Sequence, residues 1–409
     1  MKDFTCSMPT RIVFGRDAEL KVGEEARALG AGSALVVYGG GSVERSGLLG
    51  RVESALTDAG ITLEELGGVR PNPGSTLVRE GIERARAAGA DIVIAVGGGS
   101  AIDTAKAIAG GVPYDGDFWD LLGGRKTERA LPVGVVLTTA ASGSEVSTAA
   151  VITNDETHLK REMSGTALVP RFALMNPALT ETLPAFQTAA GLVDIYSHLL
   201  EHYLTTTEGV TVSDRMIEGI MGAVVDVSEK VMADPRDYDA RANIMWVASL
   251  AMSGVCGPDR AQDWASHQIE YALSSRYGCA HGAGLAVVMP SVLAQGFESA
   301  EGERKLRHTE RLAQLAVRVW GCPMDFFDPE RTARAGIARL RTWCRGLGMP
   351  VTIADLAAAD PAHAGEDEGA AVDEMAYESC YEGGRPGTCG RYIPFNEDAV
   401  RAILKRCYR

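Results

Sequence analysis

Short apolar runs alternate with longer segments of helical periodicity through the first half of the chain. The runs have the length of buried strands, and they are RIVF at 11–14, SALVVY at 33–38, residues 61–67, DIVIAV at 91–96 and VGVVLT at 133–138. Apolar and small residues at helical spacing predict helices over 46–59, 76–88 and 101–110. Residues 151–177 predict a hairpin-like insertion and a final strand. This alternation is typical of a Rossmann-like parallel sheet covered by helices on both faces.

From about Leu183 the apolar spacing becomes helical and remains so to the end of the chain. The predicted helices cover 185–206, 212–232, 238–255, 260–275, 282–297, 302–319, 330–346, 352–358 and 394–407. Residues 359–392 are rich in Asp, Gly and Ala, and we interpret them as an irregular surface segment. Because 409 residues are too many for one hydrophobic core, we expect an α/β nucleotide-binding domain over 1–182 and an all-α metal-binding domain over 183–409.

Three predicted strands end in segments of small residues. These segments are Gly39–Ser42, Gly97–Ser100 and Thr138–Ser144. Ligands of parallel sheets bind at the carboxyl ends of the strands, where glycine lets the backbone approach a phosphate and the next helix offers free N–H groups. The three segments together predict a nucleotide site, although their spacing is not the usual GxGxxG pattern.

The segment GLVDIYSHLLEH at 191–202 carries candidate metal ligands. Asp194 and His198 are four residues apart in a predicted helix, so their side chains lie on one face. His267 and His281 follow in an Ala- and Gly-rich region. One carboxylate and three imidazoles suit a divalent Fe or Zn ion with an open coordination position. His202 offers an alternative local trio with Asp194 and His198, and we expect Cys279 to pack near the site without binding metal.

Composition excludes several classes of function. A formal charge of -14 argues against binding to nucleic acid or to an anionic membrane surface. No apolar run is long enough to span a bilayer, and the N-terminal residues lack the pattern of a signal peptide. The eight cysteines show no CxxC and no framework spacing, so we expect reduced thiols in a cytoplasmic protein.

Several of these segments together resemble the iron-containing (group III) alcohol dehydrogenase family over nearly the whole chain. They include YGGGSVERSG at 38–47, AVGGGSAIDTAK at 95–106, LTTAASGSE at 137–145, GLVDIYSHLLEHY at 191–203 and QDWASHQIEYALSSRYGCAHGAGLAVVMP at 262–290. The resemblance is strongest to the branch of NADPH-dependent butanol dehydrogenases and broad-range aldehyde reductases. It implies a dehydroquinate synthase-like architecture, and a homodimer.

The resemblance also implies roles for individual residues. The metal ligands would be Asp194, His198, His267 and His281, a set that disfavours His202. Gly98–Ser100 would hold the pyrophosphate, with Asp103 fixing that loop and Lys160 near the ribose or adenosine. The whole predicted cofactor-binding set is Gly39, Gly40, Gly41, Ser42, Asn72, Gly98, Gly99, Ser100, Asp103, Thr138, Thr139, Ser142, Ser147, Lys160 and Leu183.

Two positions depart from the family pattern. Members that prefer NAD often carry an acidic residue where this chain has Gly39, and Arg45 lies nearby. This favours NADP(H) over NAD(H), although Glu44 opposes it. The family often has an additional histidine between the last two ligands, where this chain has Tyr271 and Ser274–Tyr277.

We therefore expect a metal-dependent alcohol dehydrogenase or aldehyde reductase that acts on uncharged primary alcohols and aldehydes. The ligand set does not decide between Fe²⁺ and Zn²⁺. The alternatives of the same fold are a dehydroquinate-synthase-like lyase and a polyol-phosphate dehydrogenase, whose charged substrates require several Arg or Lys residues near the metal. A nucleotide-binding protein without enzymatic activity is the alternative from another class.

Overall fold

The computed structural model describes residues 1–358, 363, 366–382 and 385–408. Contacts within the chain divide it into two compact units. The sheet unit comprises Ser7–Leu183 and Pro235–Val255, and the helical unit comprises Met1–Cys6, Pro184–Asp234 and Cys256–Arg409. None of the helices in the described part of the chain is both long enough and apolar enough to cross a bilayer.

The sheet unit contains six parallel strands in the order β1-β8-β5-β4-β2-β3. Their bounds are β1 Arg11–Phe14, β2 Ser33–Gly39, β3 Thr62–Val69, β4 Ile92–Gly97, β5 Val133–Leu137 and β8 Phe172–Met175. An antiparallel hairpin of β6 (Ala149–Thr153) and β7 (Lys160–Ser164) lies outside this sheet. The predicted strands and the hairpin insertion are thus confirmed.

Helices cover both faces of the sheet. Their bounds are α1 Val22–Ala28, α2 Ser42–Arg45, α3 Leu48–Asp58, α4 Ser75–Ala88 and α5 Gly99–Gly111. Apolar side chains of α1 and α3 pack against one face, and those of α4 and α5 pack against the other. The inner strands are apolar along their length because both of their faces are buried.

One helix departs from the predicted division at residue 183. The helix α8 (Tyr238–Met252) belongs to the sheet unit. Trp246 on α8 packs edge-on against Phe14 of β1, with ring centroids 6.4 Å apart, and Ser249 donates a 2.5 Å hydrogen bond to Glu145. These contacts join positions more than a hundred residues apart, which hydrophobic periodicity cannot reveal.

The helical unit contains the remaining helices and a ladder of two-residue strands. The helices are α6 Ala185–Tyr203, α7 Thr211–Ala233, α9 Ala265–Tyr277, α10 His281–Ser299, α11 Gly302–Arg318, α12 Pro329–Gly346, α13 Ile353–Ala358, α14 Glu368–Tyr381 and α15 Glu397–Cys407. The strands β9 (Thr388–Cys389) and β10 (Phe395–Asn396) pair antiparallel. The prediction of an α/β domain and a helical domain is confirmed, with this ladder as the exception to an all-α second part.

The interpretation of residues 359–392 as an irregular surface segment is wrong for Glu368–Tyr381, which form the helix α14, and for Thr388–Cys389, which form β9. The helix α14 begins after Asp367, whose side chain accepts hydrogen bonds from the amides of Gly369 and Ala370. Its buried positions recur at helical spacing and are Ala371, Val372, Met375, Ala376, Ser379 and Cys380. Small residues on that face concealed the periodicity, because alanine and serine contribute little to a hydrophobic pattern. Residues 359–362, 364–365 and 383–384 lie outside the described residues.

Candidate metal centre and cofactor loops

Three helices of the helical unit bring the candidate metal ligands together. Asp194 lies in the middle of α6, His267 in the first turn of α9, and His281 is the first residue of α10. One ligand atom from each of these three residues lies within 4.8 Å of the other two. Asp194 and His267 are buried, whereas the His281 side chain is 28% exposed. This arrangement has a closed side and an accessible side.

His198 lies beside this trio. Its Nε2 is 3.6 Å from Oδ1 of Asp194, and its ring stacks on that of His267 with centroids 4.9 Å apart. The three-residue cluster does not include it. The structure therefore places all four predicted ligands in one neighbourhood, and the coordination of an ion by His198 stays a prediction.

Two glutamates that the sequence reasoning missed lie against the outer nitrogens of the histidines. Oε1 of Glu201 is 3.2 Å from Nδ1 of His267, and Oε2 of Glu270 contacts Nδ1 of His281. Both glutamates are buried. Histidines that bind metals usually engage their second ring nitrogen with a carboxylate, which fixes the orientation of the ring. Glu201 lies seven residues after Asp194 on α6, and Glu270 lies three residues after His267 on α9. This helical spacing places each glutamate on the same helix face as a ligand, and it is the signal by which the sequence could have indicated them.

Glu201 also fixes the start of the ligand helix α9. Its carboxylate accepts hydrogen bonds from the backbone amides of Trp264 and Ser266, at 2.8 and 2.9 Å. Trp264 adopts a left-handed backbone conformation with φ of 79°, which is unusual for a bulky residue. This turn explains why α9 begins at Ala265 and not at residue 260 as predicted.

Close packing of α10 on α6 brings His281 to Asp194. His281 Nε2 lies 3.8 Å from Oδ1 of Asp194. The next residue, Gly282, faces the backbone of α6, where an added methyl group would overlap the carbonyl oxygen of Ala190. Gly278, with φ of 59°, ends α9 and allows the chain to turn back toward α10. Close packing on α6 therefore requires a glycine at position 282, and the left-handed turn after α9 favours one at position 278.

The donor set fits a divalent cation. Among the described residues, Oδ1 of Asp194 and Nδ1 of His198 are buried and make no hydrogen bond. A buried carboxylate oxygen without a donor is unfavourable, and a bound cation compensates for it. Burial lowers the pKa of His198 to about 3, against the opposing effect of Asp194. The imidazole is therefore neutral, which is the form that binds Fe²⁺ or Zn²⁺.

Neither of the other two candidates belongs to the cluster within the described residues. His202 lies one turn after His198 on α6, and its ring packs edge-on against Trp264 at 5.5 Å between centroids. Cys279 lies between α9 and α10 and forms no disulfide.

In the sheet unit, two predicted cofactor segments pack directly on each other. A methyl group added to Gly98 would lie 2.9 Å from Cβ of Thr139, and one added to Gly99 would lie 2.5 Å from Oγ of Ser142. The helix α5 begins at Gly99, so its first amides face this junction. The two segments follow β4 and β5, which are neighbours in the sheet.

Other predicted cofactor residues lie in three further places. Gly41 has φ of 83° and joins β2 to α2, with Ser42 as the first residue of that helix. Asn72 has φ of 54°, and the adjacent Pro73 accepts a 2.8 Å hydrogen bond from Thr153, which pairs with Lys160 across the β6–β7 hairpin. Leu183 is the last residue before the helical unit.

Two of the predicted cofactor residues point into the interior of the sheet unit. Asp103 accepts hydrogen bonds from Ser144 Oγ and from the amide of Val151, at 2.6 and 3.0 Å. Ser147 is buried, and its Oγ lies 3.1 Å from Nζ of Lys106. Their side chains thus support the loop from beneath.

Comparisons with known proteins agree with this architecture and chemistry. A model of the iron-containing alcohol dehydrogenase family matches residues 9–177, and the model of that family's C-terminal part matches residues 188–408. The chain therefore belongs to the iron-containing alcohol dehydrogenase family.

Individual relatives cover almost the whole chain. It is 36% identical over 409 residues to NADH-dependent butanol dehydrogenase A of Clostridium acetobutylicum, with all of both chains covered. It is 35% identical over 363 residues to the NADPH-dependent aldehyde reductase YqhD of Escherichia coli, with 87% of this chain and 89% of the relative covered. The crystal structure of a butanol dehydrogenase A from Thermotoga maritima superposes with a TM-score of 0.91 at 35% identity, covering 100% of this chain and 99% of that one.

Proposed function

We propose that this protein reduces uncharged aldehydes to primary alcohols, and catalyses the reverse oxidation, with NADP(H) preferred over NAD(H). A divalent ion, Fe²⁺ or Zn²⁺, would be held by Asp194, His198, His267 and His281. The observation that carries the proposal is the convergence of Asp194, His267 and His281 within 4.8 Å, with a buried glutamate behind each of the two histidines.

The chain's own residues have distinct tasks in this reaction. When bound, the ion supplies Lewis-acid polarisation of the substrate oxygen, and the nicotinamide supplies or accepts the hydride. Asp194 and the imidazoles bind the ion, while Glu201 and Glu270 keep the Nε2 atoms of His267 and His281 directed toward it. The partly exposed His281 marks the side from which a substrate oxygen would approach.

An uncharged substrate is favoured because Arg276, the arginine of the three ligand helices α6, α9 and α10, is already paired. Arg276, in the last turn of α9, lies 3.0 Å from Glu366 and 2.6 Å from Glu374. A phosphorylated or carboxylated substrate would need a cation that is not neutralised in this way. This observation favours an aldehyde over the substrates of the lyase and polyol-phosphate alternatives.

The proposed preference for NADP(H) rests on the turn after β2. Gly39 offers no carboxylate to the ribose, and the Arg45 guanidinium folds over Gly41, with Nη1 2.8 Å from where a Cβ of that glycine would lie. A guanidinium here suits a 2′-phosphate. Nearby carboxylates disfavour a 2′-phosphate at this turn. Their negative charge is evident at Tyr38, whose pKa is raised to about 12 by burial and then by Glu65, Glu44 and Glu53.

The test follows the absorbance of the reduced nicotinamide during reduction of butanal by the metal-loaded protein. We expect turnover with both cofactors and a higher kcat/KM with NADPH. Arg45→Gln should lower the NADPH-to-NADH ratio of kcat/KM by about tenfold, whereas the surface variant Arg27→Gln should leave it unchanged. Cofactor binding without turnover on any C2–C8 aldehyde would exclude the proposed reaction.

Three finer points belong to the same proposal. Activity after reconstitution of metal-free protein with Fe²⁺ or Zn²⁺ identifies the working ion. We propose a homodimer from the family resemblance, and light scattering on the purified protein measures this directly. We propose a cytoplasmic location because the composition has the pattern of reduced thiols, and fractionation of the native cell tests it.

A further inference from the structure

A lysine is completely buried in the sheet unit beneath the loop that follows β5. Lys106 lies on α5 and has 0% exposure. Its Nζ donates to Ser144 Oγ at 3.0 Å, to Ser147 Oγ at 3.1 Å, and to the carbonyl oxygens of Ser147 and Ala149, both at 2.9 Å. These acceptors belong to one short stretch of chain, residues 144–149, which ends at the first residue of β6.

Asp103 lies one helical turn before Lys106 and anchors the same stretch. Its two carboxylate oxygens accept from Ser144 Oγ at 2.6 Å and from the amide of Val151 at 3.0 Å. Because residues three apart share a helix face, α5 presents a charged pair to this loop. Ser144 is held by both members of the pair, so the loop is fixed at residues 144–151.

The anchored stretch continues directly into the proposed phosphate-contacting residues. Ser142 Oγ accepts a 3.4 Å hydrogen bond from the amide of Ser144. Thr139 and Ser142 in turn pack against Gly98 and Gly99, at the first turn of α5. One helix therefore carries the amides of the predicted pyrophosphate site at its start and the anchor of the opposing loop two turns later.

The charge of Lys106 has a cost that packing alone does not explain. Burial lowers the pKa of its ammonium to about 8, against the opposing effects of Asp103 and Glu145. A methionine would fill a similar volume without burying a charge, and such replacements are often neutral or stabilising. The lysine contributes something that a methionine would not, because its hydrogen bonds to four acceptors hold the loop in one position.

We propose that Lys106 is a positioning residue for the cofactor: it holds the Thr139–Ser144 turn against Gly98 and Gly99, and so sets the affinity for the dinucleotide without touching it. This inference rests on the proposed function, because it takes the two segments to be the dinucleotide site. It assigns to the lysine of the AIDTAK segment a task that differs from metal binding and from hydride transfer.

The test compares Lys106→Met with Thr104→Val. Thr104 is a matched control because it is equally buried on α5, and its hydroxyl donates within the same helix to the carbonyl of Ser100, at 2.8 Å. The dissociation constant of NADPH is measured by fluorescence titration of the metal-loaded protein. Metal content, melting temperature, kcat and KM are measured in parallel.

For Lys106→Met we expect the Kd and KM of NADPH to rise by about tenfold or more, as when a supporting group around a site is lost. The kcat at saturating NADPH, the KM of butanal and the metal content should change by less than about threefold. Thr104→Val should match the wild type in all of these. A purely structural role would lower the melting temperature and leave the Kd of the folded protein unchanged.

A smaller variant keeps the inference testable if Lys106→Met does not fold. Ser144→Ala removes one acceptor of the lysine and one donor to Asp103, and should raise the Kd of NADPH by about threefold. Wild-type affinity in the folded Lys106→Met protein, or in Ser144→Ala when only that variant folds, would overturn the inference alone. A wild-type protein that binds no dinucleotide would overturn the proposed function together with it.

Discussion

Two buried polar clusters, one around Lys106 in the sheet unit and one around Asp194 in the helical unit, differ in how their polar atoms are satisfied. In the sheet unit, Nζ of Lys106 has four acceptors and both carboxylate oxygens of Asp103 accept hydrogen bonds. In the helical unit, Oδ1 of Asp194 accepts no hydrogen bond from any described residue. The first cluster is complete within the protein, whereas we propose that a cation completes the second.

This difference indicates a structural role for the first cluster and a metal-binding role for the second. A fully satisfied buried network defines one local conformation, which is what a loop that binds phosphate requires. A buried carboxylate oxygen that accepts no hydrogen bond, beside the neutral imidazole of His198, retains its affinity for a metal ion. Both clusters consist of residue types that are also common on protein surfaces. Their roles are therefore inferred from their burial and their hydrogen-bond partners, and not from residue type.

The largest effect is expected where the incomplete cluster loses its carboxylate. Asp194→Asn removes the negative charge from the proposed ligand set, and we expect kcat/KM for butanal to fall by about a thousandfold or more. The exposed Asp226→Asn on α7 is the control and should leave kcat/KM unchanged. Activity of Asp194→Asn within tenfold of the wild type would remove the distinction between the two clusters.

The geometry of the incomplete cluster depends on the approach of α10 to α6. Gly282→Ala places a methyl group against the carbonyl oxygen of Ala190, so we expect a loss of about 2–4 kcal/mol in the free energy of unfolding. Denaturant titration measures this loss. Gly219 on α7 has nothing within 4 Å of an added Cβ, so Gly219→Ala should instead stabilise by about 0.5–1 kcal/mol. Equal effects of the two variants would contradict the close packing.

A milder change affects the glutamate that orients the proposed ligand His281 and leaves the ligand itself in place. Glu270→Gln keeps the size of the side chain behind His281 but removes its charge, and we expect metal affinity to weaken by about 10- to 100-fold. Competition with a chromogenic chelator measures that affinity. Glu374→Gln, at a partner of Arg276 with an exposed side chain, is the control. Unchanged metal affinity in Glu270→Gln would show that the glutamate does not orient His281.

An effect on stability alone is expected beside the complete cluster, where Glu145 lies close to Lys106. Ser249 on α8 donates a hydrogen bond of 2.5 Å to the buried Glu145, and burial raises the pKa of that carboxyl group. Ser249→Ala should cost about 1–3 kcal/mol of unfolding free energy, because it leaves a buried acceptor unsatisfied. Metal affinity should not change. A variant as stable as the wild type would show that Glu145 needs no donor.

Sequence reasoning predicted the features that depend on local spacing. The placement of Asp194 and His198 on one helix face and the glycine turns after β2 and β4 follow from periodicity and from strand ends. The glutamates behind the histidines did not emerge, because their pairing is tertiary. Lys106 was passed over since lysine is almost always exposed. The helix α14 was missed because its buried face consists largely of small residues.

The most direct measurement of the central claim is the number of Fe²⁺ ions bound per chain by wild type and by His267→Ala under anaerobic equilibrium dialysis. We predict one tightly bound ion for the wild type and binding weakened by at least about a hundredfold in His267→Ala. His202→Gln, one turn beyond His198 on α6, should bind like the wild type. Equal binding by the wild type and His267→Ala would contradict the assignment of the metal centre.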